Sequence, residues 1–380
     1  MSERASGHLK RPLPCSPESK SLMNFLPWLA QWPRRSIQPF SQSKSLFRLT
    51  CQVFLLILGG VVGDSQSHAN ETTDGKLPRE VIDLPLLPAP IDLAPGRKYS
   101  DELRDYAMVI GFDRTPKGRL WAAWVAGGDS EKGYFVAASS DDHGETWSRP
   151  RLVIDPADLP SGLHHRTLVG NFWTDPLGPL WLFYDQSLGY FDGRAGVWAI
   201  RCDNPDSDLP QWTKPVRIWH GSTLNKPIVL SNGDWLLPIS LWKRDKIRPV
   251  ELQDYHHDLD DQRMAHVFVS TDQGESWSRR GGVFIPDGQF DEHMMVELRD
   301  GRIWLLARTT CGALAESFSS DCGRTWTKAK PSAIKHINAR FHIRRLASGR
   351  LLLVKHGWIE ERTEVRSHLR AFLSDDDGKT

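Results

Sequence analysis

The feature that most restricts this 380-residue chain is a short pattern repeated along it, Ser-x-Asp-x-Gly-x-(Ser/Thr)-Trp. It runs from Ser140 to Trp147, from Ser270 to Trp277 and from Ser319 to Trp326, and begins again at Ser374, where the chain stops at Thr380 before a Trp. A degenerate copy lies between Cys202 and Trp212. Interleaved with it is a turn glycine followed by an apolar, often Trp-bearing run: Gly118-Arg119-Leu120-Trp121, Gly178-Pro179-Leu180-Trp181, Gly233-Asp234-Trp235-Leu236, Gly301-Arg302-Ile303-Trp304 and Gly349-Arg350-Leu351-Leu352. The two patterns recur together roughly every 50–70 residues, the period of propeller blades. Each unit reads as strand, glycine turn, strand, short strand, Ser/Asp/Gly turn and last strand, which makes four strands to a blade. Five such units fit between Tyr106 and Thr380. The fold class expected is therefore all-β, a propeller over 106–380 with about five blades present and the last incomplete. Segment 70–105 remains as an N-terminal linker or closing strand.

The Ser-x-Asp-x-Gly turn has a mechanical explanation. Its Asp accepts hydrogen bonds from the backbone of its own turn, its Gly takes a positive φ, and its Trp buries the turn against the blade. The box thus identifies a fold and not a reaction. Composition agrees: 16 Trp, 30 Gly and 25 Pro beside six Met suit tight turns and aromatic packing better than a helical bundle. Lys and Arg (48) nearly cancel Asp and Glu (47), leaving a net charge of +1. Without a long-range basic field, nucleic-acid and membrane-surface binding are not expected, and recognition has to be local.

Residues 1–48 form a basic leader with eight Lys/Arg against Glu3 and Glu18. Leu49 to Gly63 then run without a charge, and Ser67-His68-Ala69 offers the small residues that a signal peptidase reads, so 49–69 is taken as a signal-peptide hydrophobic region and cleavage site. The uncharged run is shorter than the ~20 residues that span a bilayer. A secreted or periplasmic protein follows, with no stable membrane insertion after cleavage; the alternative is an anchor through 49–63. Only Cys202, Cys311 and Cys322 lie beyond the signal, too few for a disulfide scaffold, and free buried thiols are expected, a Cys311–Cys322 pair being the alternative.

A propeller gathers the starts of its inner strands at one end of a central channel, so polar residues at those starts converge from distant parts of the sequence. The candidates are His164, His165 and Arg166; Asn225 and Lys226; Asp291, Glu292 and His293; and Asn338, Arg340 and His342. Glu292 and Arg340 each fall nine residues before a turn glycine, Gly301 and Gly349, which makes them equivalent positions. Arg166, Lys226, Arg308 and Arg340 around one planar anion predict an acidic ligand, because guanidinium groups pair with carboxylates bidentately. Channel-lining salt bridges without catalysis are the plainer alternative. Tyr255-His256-His257-Asp258 lies in a charged inserted loop whose adjacent histidines point apart, and no metal-ligand spacing accompanies it. No cofactor and no metal are expected. Gly-x-Gly-x-x-Gly, P-loop and Gly-x-Ser-x-Gly patterns are missing from the sequence.

On its repeated boxes, the chain from Tyr106 onward resembles the BNR/Asp-box sialidase (neuraminidase) superfamily. Leu224 to Leu230, Asp291 to Leu298 and Ile303 to Thr310 are similar to a secreted bacterial, exo-α-sialidase-like branch. The resemblance implies a six-bladed propeller and retaining exo-hydrolysis of an acidic sugar, with three arginines on the substrate carboxylate, an Asp acid/base, and a Tyr nucleophile paired with a Glu. It places Glu292 as the partner of that Tyr, Arg308 as the second arginine, and Asp129 of Gly127-Gly128-Asp129-Ser130-Glu131 as the acid/base. The place of the first arginine holds Met108. The nucleophile and third arginine are expected on a last blade beyond Thr380. Arg308, Arg166, Arg340, Lys226, His165 and His293 complete the expected substrate-binding set. The function expected is a secreted, monomeric exo-glycosidase of sialidase type acting on an acidic carbohydrate. The alternatives are a propeller polysaccharide lyase on uronate-containing glycans, in which His165 and Arg166 would matter most, and a non-catalytic carbohydrate-binding or remnant propeller.

Overall fold

Strands whose two faces are both apolar must be covered on both sides, and packing five antiparallel sheets face to face covers both faces of the second, third and fourth, while Val109, Phe112, Leu369 and Leu373 of the first and fifth are exposed. The computed structural model describes residues 76–156, 159 and 162–380. The leader 1–48, the signal region 49–69 and the first residues of 70–105 lie outside the described residues. The first sheet holds β1 (Ile91–Asp92), β2 (Met108–Arg114), β3 (Leu120–Ala126), β4 (Tyr134–Ser140) and β5 (Leu152–Ile154). The second holds β6 (His165–Thr174), β7 (Leu180–Leu188), β8 (Gly196–Cys202) and β9 (Val216–Trp219); the third, β10 (Ile228–Val229), β11 (Trp235–Ser240), β12 (Ala265–Ser270) and β13 (Ser278–Val283). The fourth holds β14 (Met294–Glu297), β15 (Ile303–Ala307), β16 (Ala313–Ser319) and β17 (Lys330–Lys335), and the fifth, β18 (His342–Arg345), β19 (Leu351–His356) and β20 (Leu369–Ser374). This is a five-blade β-propeller arrangement, and the repeat boundaries read from the sequence coincide with its sheets. β1 pairs with β5, so it extends the outer edge of the first blade.

The core lies between blades, and the period-2 alternation of each strand divides its side chains between two neighbours. Leu236 and Val267 of the third blade pack with Met295 and Leu305 of the fourth. Their alternates Leu237 and Phe268 pack with Trp173 and Phe183 of the second. Met294 and Leu306 of the fourth blade face Ile343 and Leu353 of the fifth. Trp173 and Trp235 meet edge to face at 4.8 Å across the second interface. The inner strands of the first two blades approach closely at one point: a Cβ on Gly111 of β2 would lie 2.8 Å from the Asn171 backbone of β6.

The boxes form as expected, with one addition. Ser270 donates from Oγ to Asp272 Oδ1 (2.7 Å), Gly274 N donates to Ser270 Oγ (2.7 Å), and Ser276 N donates to Asp272 Oδ1 (3.0 Å). The residue before each box glycine is left-handed as well: His143, Gln273, Cys322 and Asp377. The degenerate copy uses Asn204 in place of the Asp, with its Oδ1 accepting from Gln211 N at 2.9 Å, and Trp212 packs against Trp121 and Phe172. Burial of the box Trp differs from expectation at Trp147, which is 42% exposed, whereas Trp277 packs on Phe183 of the preceding blade. The thiols also divide: Cys202 is buried and free, while Cys311 is free and exposed in the loop that follows β15. Among the described residues no helix is long and apolar enough to cross a membrane.

Gly274 combines a φ of +91° with a Cβ position 2.7 Å from the Trp181 ring. Gly274→Ala is expected to destabilise the fold by about 1–3 kcal/mol, through backbone strain and overpacking at one blade seam. The urea midpoint is the measurement; an unchanged midpoint would show that the box does not hold the second and third blades together.

Candidate active site

In each blade the inner strand starts at the same end of the channel, and the loop from the second to the third strand opens at that end too. Glu292 and Arg340 each stand two residues before an inner strand, β14 and β18 respectively. Arg308 directly follows β15, and Asp129 lies exposed in the loop between β3 and β4. These four are the expected residues that the structure gathers around one mouth.

Arg308 donates from Nη1 to Glu292 Oε1 at 2.7 Å, with both side chains largely buried. Its Nε donates to Asn338 Oδ1 at 2.6 Å, and its guanidinium stands over the Phe290 ring. Glu292 therefore has one oxygen committed, while Oε2 is buried and takes no hydrogen bond among the described residues. Arg340 crosses the channel: Nη2 donates to Leu224 O (2.9 Å) and Asn225 Oδ1 (3.4 Å), and Nη1 to Ile110 O of β2 (3.4 Å). All three acceptors are neutral, and no ion pair among the described residues neutralises this cation. Burial lowers its pKa, against the opposing pull of Glu292. The strand that begins with Met108 instead of an arginine is thus reached by a cation from the fifth blade.

The backbone presenting Glu292 is unusual. Asp291 (φ 57°) and Glu292 (φ 45°) are consecutive left-handed residues, neither a glycine. Each such conformation costs about 1–3 kcal/mol and persists only when its surroundings impose it. Glu292 N donates to Phe290 O (2.7 Å) and Arg308 N to Asp291 O (2.8 Å), which locks the turn to the loop after β15. Asp291 is fully enclosed behind Glu292, with Ser240 Oγ at 3.4 Å, and burial pushes its pKa up to about 7 despite Lys243.

Of the other expected residues, Asn338 and Asn225 join the mouth through Arg308 and Arg340, and the rest go elsewhere. Arg166 and Asp185 are completely buried and paired at 2.9 Å. Asp185 Oδ1 also accepts from Leu168 N and Val169 N, and Oδ2 from Ser222 Oγ, so the pair stitches the bulge of β6. Lys226 pairs with Asp113 at 2.9 Å. With His342, it lines a cavity of about 320 Å³ reaching to the opposite ends of the inner strands. The His293 ring is turned into the packing, its Nε2 donating to His266 O at 2.8 Å and burial holding its pKa at about 4. His165 opens β6 half-buried, feels Asp192 and Arg166 beside it, and is likewise held at about 4 by burial. His164 precedes it.

Tyr190 was not singled out from the sequence. It sits in the loop between β7 and β8, the slot that holds Asp129 in the first blade. Burial raises its pKa, and the charges of Asp129 and Glu292 raise it further while Arg166 opposes them, so the hydroxyl lies within electrostatic reach of the mouth carboxylates. Trp242 and Phe290 continue an aromatic wall from it toward Arg308. Alignment of the second-to-third strand loops across the repeats is the sequence signal that would have found it.

The fold is that of a sialidase-like β-propeller. The BNR repeat-like domain matches residues 118–380, and the chain belongs to that family. No curated protein matches the sequence. Among solved structures, a Hadza microbial sialidase, Hz136, is similar at 19% identity and a TM-score of 0.54, over 75% of this chain and 58% of that one. The intramolecular trans-sialidase from Ruminococcus gnavus, in complex with oseltamivir carboxylate, gives 12% and 0.54 over 75% and 82%. A Trypanosoma rangeli sialidase in complex with 2,3-difluorosialic acid gives 15% and 0.53 over 72% and 47%. At these identities the likeness is one of fold, and this chain spans little more than half the length of the first.

Two outcomes test the site's energetics. Arg166→Met, which leaves Asp185 charged and enclosed, is expected to cost about 3–5 kcal/mol in urea unfolding. The second concerns Asp291. The folded chain keeps its proton up to about pH 7, whereas the unfolded chain releases it near pH ~4. Stability therefore declines as pH rises from about 4 to about 7. Asp291→Asn abolishes this loss, so its urea midpoint relative to the unmodified protein should climb across that window; a constant difference would refute the assignment.

Proposed function

We propose that this chain is a glycoside hydrolase of sialidase type, exported from the cell, whose channel mouth takes the acidic terminal sugar of a glycan. The observation that carries the reading is Arg340, a cation held only by neutral acceptors, in the same mouth as the unengaged Oε2 of Glu292. A sugar carboxylate supplies the missing counter-charge, with Arg308 and Arg340 as its partners. Arg308 also holds Glu292 Oε1, which leaves Oε2 to accept the proton of the attacking hydroxyl. Asp129, on the loop between β3 and β4, protonates the departing glycosidic oxygen in this reading. Retention takes two displacements. In the first, the hydroxyl of the tyrosine nucleophile that the resemblance implies loses its proton toward Glu292 and bonds to the anomeric carbon, as the glycosidic C–O bond breaks and the leaving oxygen takes a proton from Asp129. Water, giving a proton back to Asp129, then displaces the tyrosine oxygen, which recovers its proton. Lys226, His293 and Arg166 support the channel and the blades in this reading and do not touch the sugar. No metal or cofactor enters it.

The test is release of 4-methylumbelliferone from its N-acetylneuraminic acid glycoside. Glu292→Gln should lower kcat by about 10²–10⁴-fold, the range for loss of a positioned general base. Arg340→Met should raise KM most strongly. A Glu292→Gln protein with unchanged turnover removes Glu292 from the mechanism. Tight binding of acidic sugars without turnover by the unmodified chain would replace hydrolysis with carbohydrate binding.

A further inference from the structure

We propose that Asn225 is the positioning residue of this mouth, one amide that sets both the carboxylate Glu292 and the cation Arg340; for its ligand alone it rests on the acidic-sugar reading above. Asn225 is buried in the segment before β10, in the third blade. Its Nδ2 donates to Glu292 O at 2.9 Å and to His293 O at 3.0 Å in the fourth blade. Its Oδ1 accepts from Arg340 Nη2, of the fifth blade, at 3.4 Å. The orientation of the amide follows from its partners. A flipped side chain would set Oδ1 against two carbonyl oxygens and the NH2 group against a guanidinium, which has no acceptor.

The two carbonyls need this donor. Pairing between β14 and β15 begins at Met294↔Leu306, so the carbonyls of Glu292 and His293 lie before the ladder. Buried carbonyl groups without a donor are costly, and here they belong to a turn already strained by two left-handed residues. Asn225 meets them from a neighbouring blade. The same segment is anchored at Leu224 O, which accepts from Asn171 Nδ2 of the second blade (3.0 Å) and from Arg340 Nη2 (2.9 Å). The spacing between the acid and the cation is thereby set by a side chain that does not face the ligand. No other side chain donates to these two carbonyls among the described residues.

Two variants of the full chain test this, Asn225→Ala and the isosteric Asn225→Asp. Ligand-independent positioning is read by hydrogen–deuterium exchange over 290–294, with β15 as internal control. Ligand-dependent positioning is read by calorimetric titration with free N-acetylneuraminic acid and with D-galacturonic acid, from pH 7.5 to 5. The unmodified protein is measured at each pH to cancel the titration of Asp291. Asn225→Ala should speed exchange over 290–294 by about tenfold or more while β15 is unchanged. It should also weaken binding of whichever acid binds by about tenfold, the worth of roughly one buried hydrogen bond. Asn225→Asp should bind weakly at pH 7.5, where its carboxylate faces two carbonyls and neutralises Arg340. It should recover toward the unmodified protein at pH 5 as protonation restores one donor, a recovery that lost packing alone would not produce. Unmodified exchange over 290–294 in Asn225→Ala overturns the proposal, as does an Asn225→Asp defect that is the same at every pH. If the unmodified protein binds neither acid, the acidic-sugar reading falls and exchange alone decides the role of Asn225.

Discussion

Everything in this molecule depends on sheets that are apolar on both faces. A strand such as Ile303-Trp304-Leu305-Leu306-Ala307 is buried along its whole length and sends alternate residues to two different neighbours. Such a sheet cannot end a stack without exposing one face, so successive sheets are driven to pack side by side around an axis. The radial order then places the inner-strand starts at a common mouth. Residues separated by tens of positions in the chain become neighbours for a reason unrelated to their own chemistry.

Given that frame, the mouth is built by a division of labour among charged groups. Full ion pairs in dry surroundings, such as Arg166 with Asp185, satisfy one another and join strands. Arg308 is half committed, with Glu292 as partner and Asn338 as brace. Arg340 is bound only by dipoles, so its charge is left over. The gradient from saturated pairs within the blades to an unneutralised cation at the axis distinguishes a site from a scaffold. The left-handed pair Asp291–Glu292 also lies at the mouth, where the Asn225 amide of another blade holds the Glu292 carbonyl.

The boxes serve the scaffold and not the site. They close the last turn of a blade through Asp and Ser side chains, and in the third blade Gly274 lies against Trp181 and Trp277 against Phe183 of the preceding sheet. Their conspicuousness in the sequence reflects geometry: two consecutive left-handed residues and a buried hydroxyl network leave few residue types that fit. Catalytic groups obey no comparable local constraint.

Local rules therefore settled much from the amino-acid sequence alone: the all-β class, the position of each blade, the equivalence of Glu292 and Arg340, and the placing of Arg308 at the end of a strand. These follow from periodicity and turn chemistry, which act within a few residues. Which cations face the ligand was decided only by the tertiary structure. Arg166, Lys226, Arg308 and Arg340 look alike in the sequence, but Asp185 and Asp113 claim the first two across strands and blades. Tyr190 and Asn225 matter through partners in other blades. A side chain's role depends on which opposite charge or open acceptor the folded chain brings within about 3–4 Å, and that distance is set by packing between sheets.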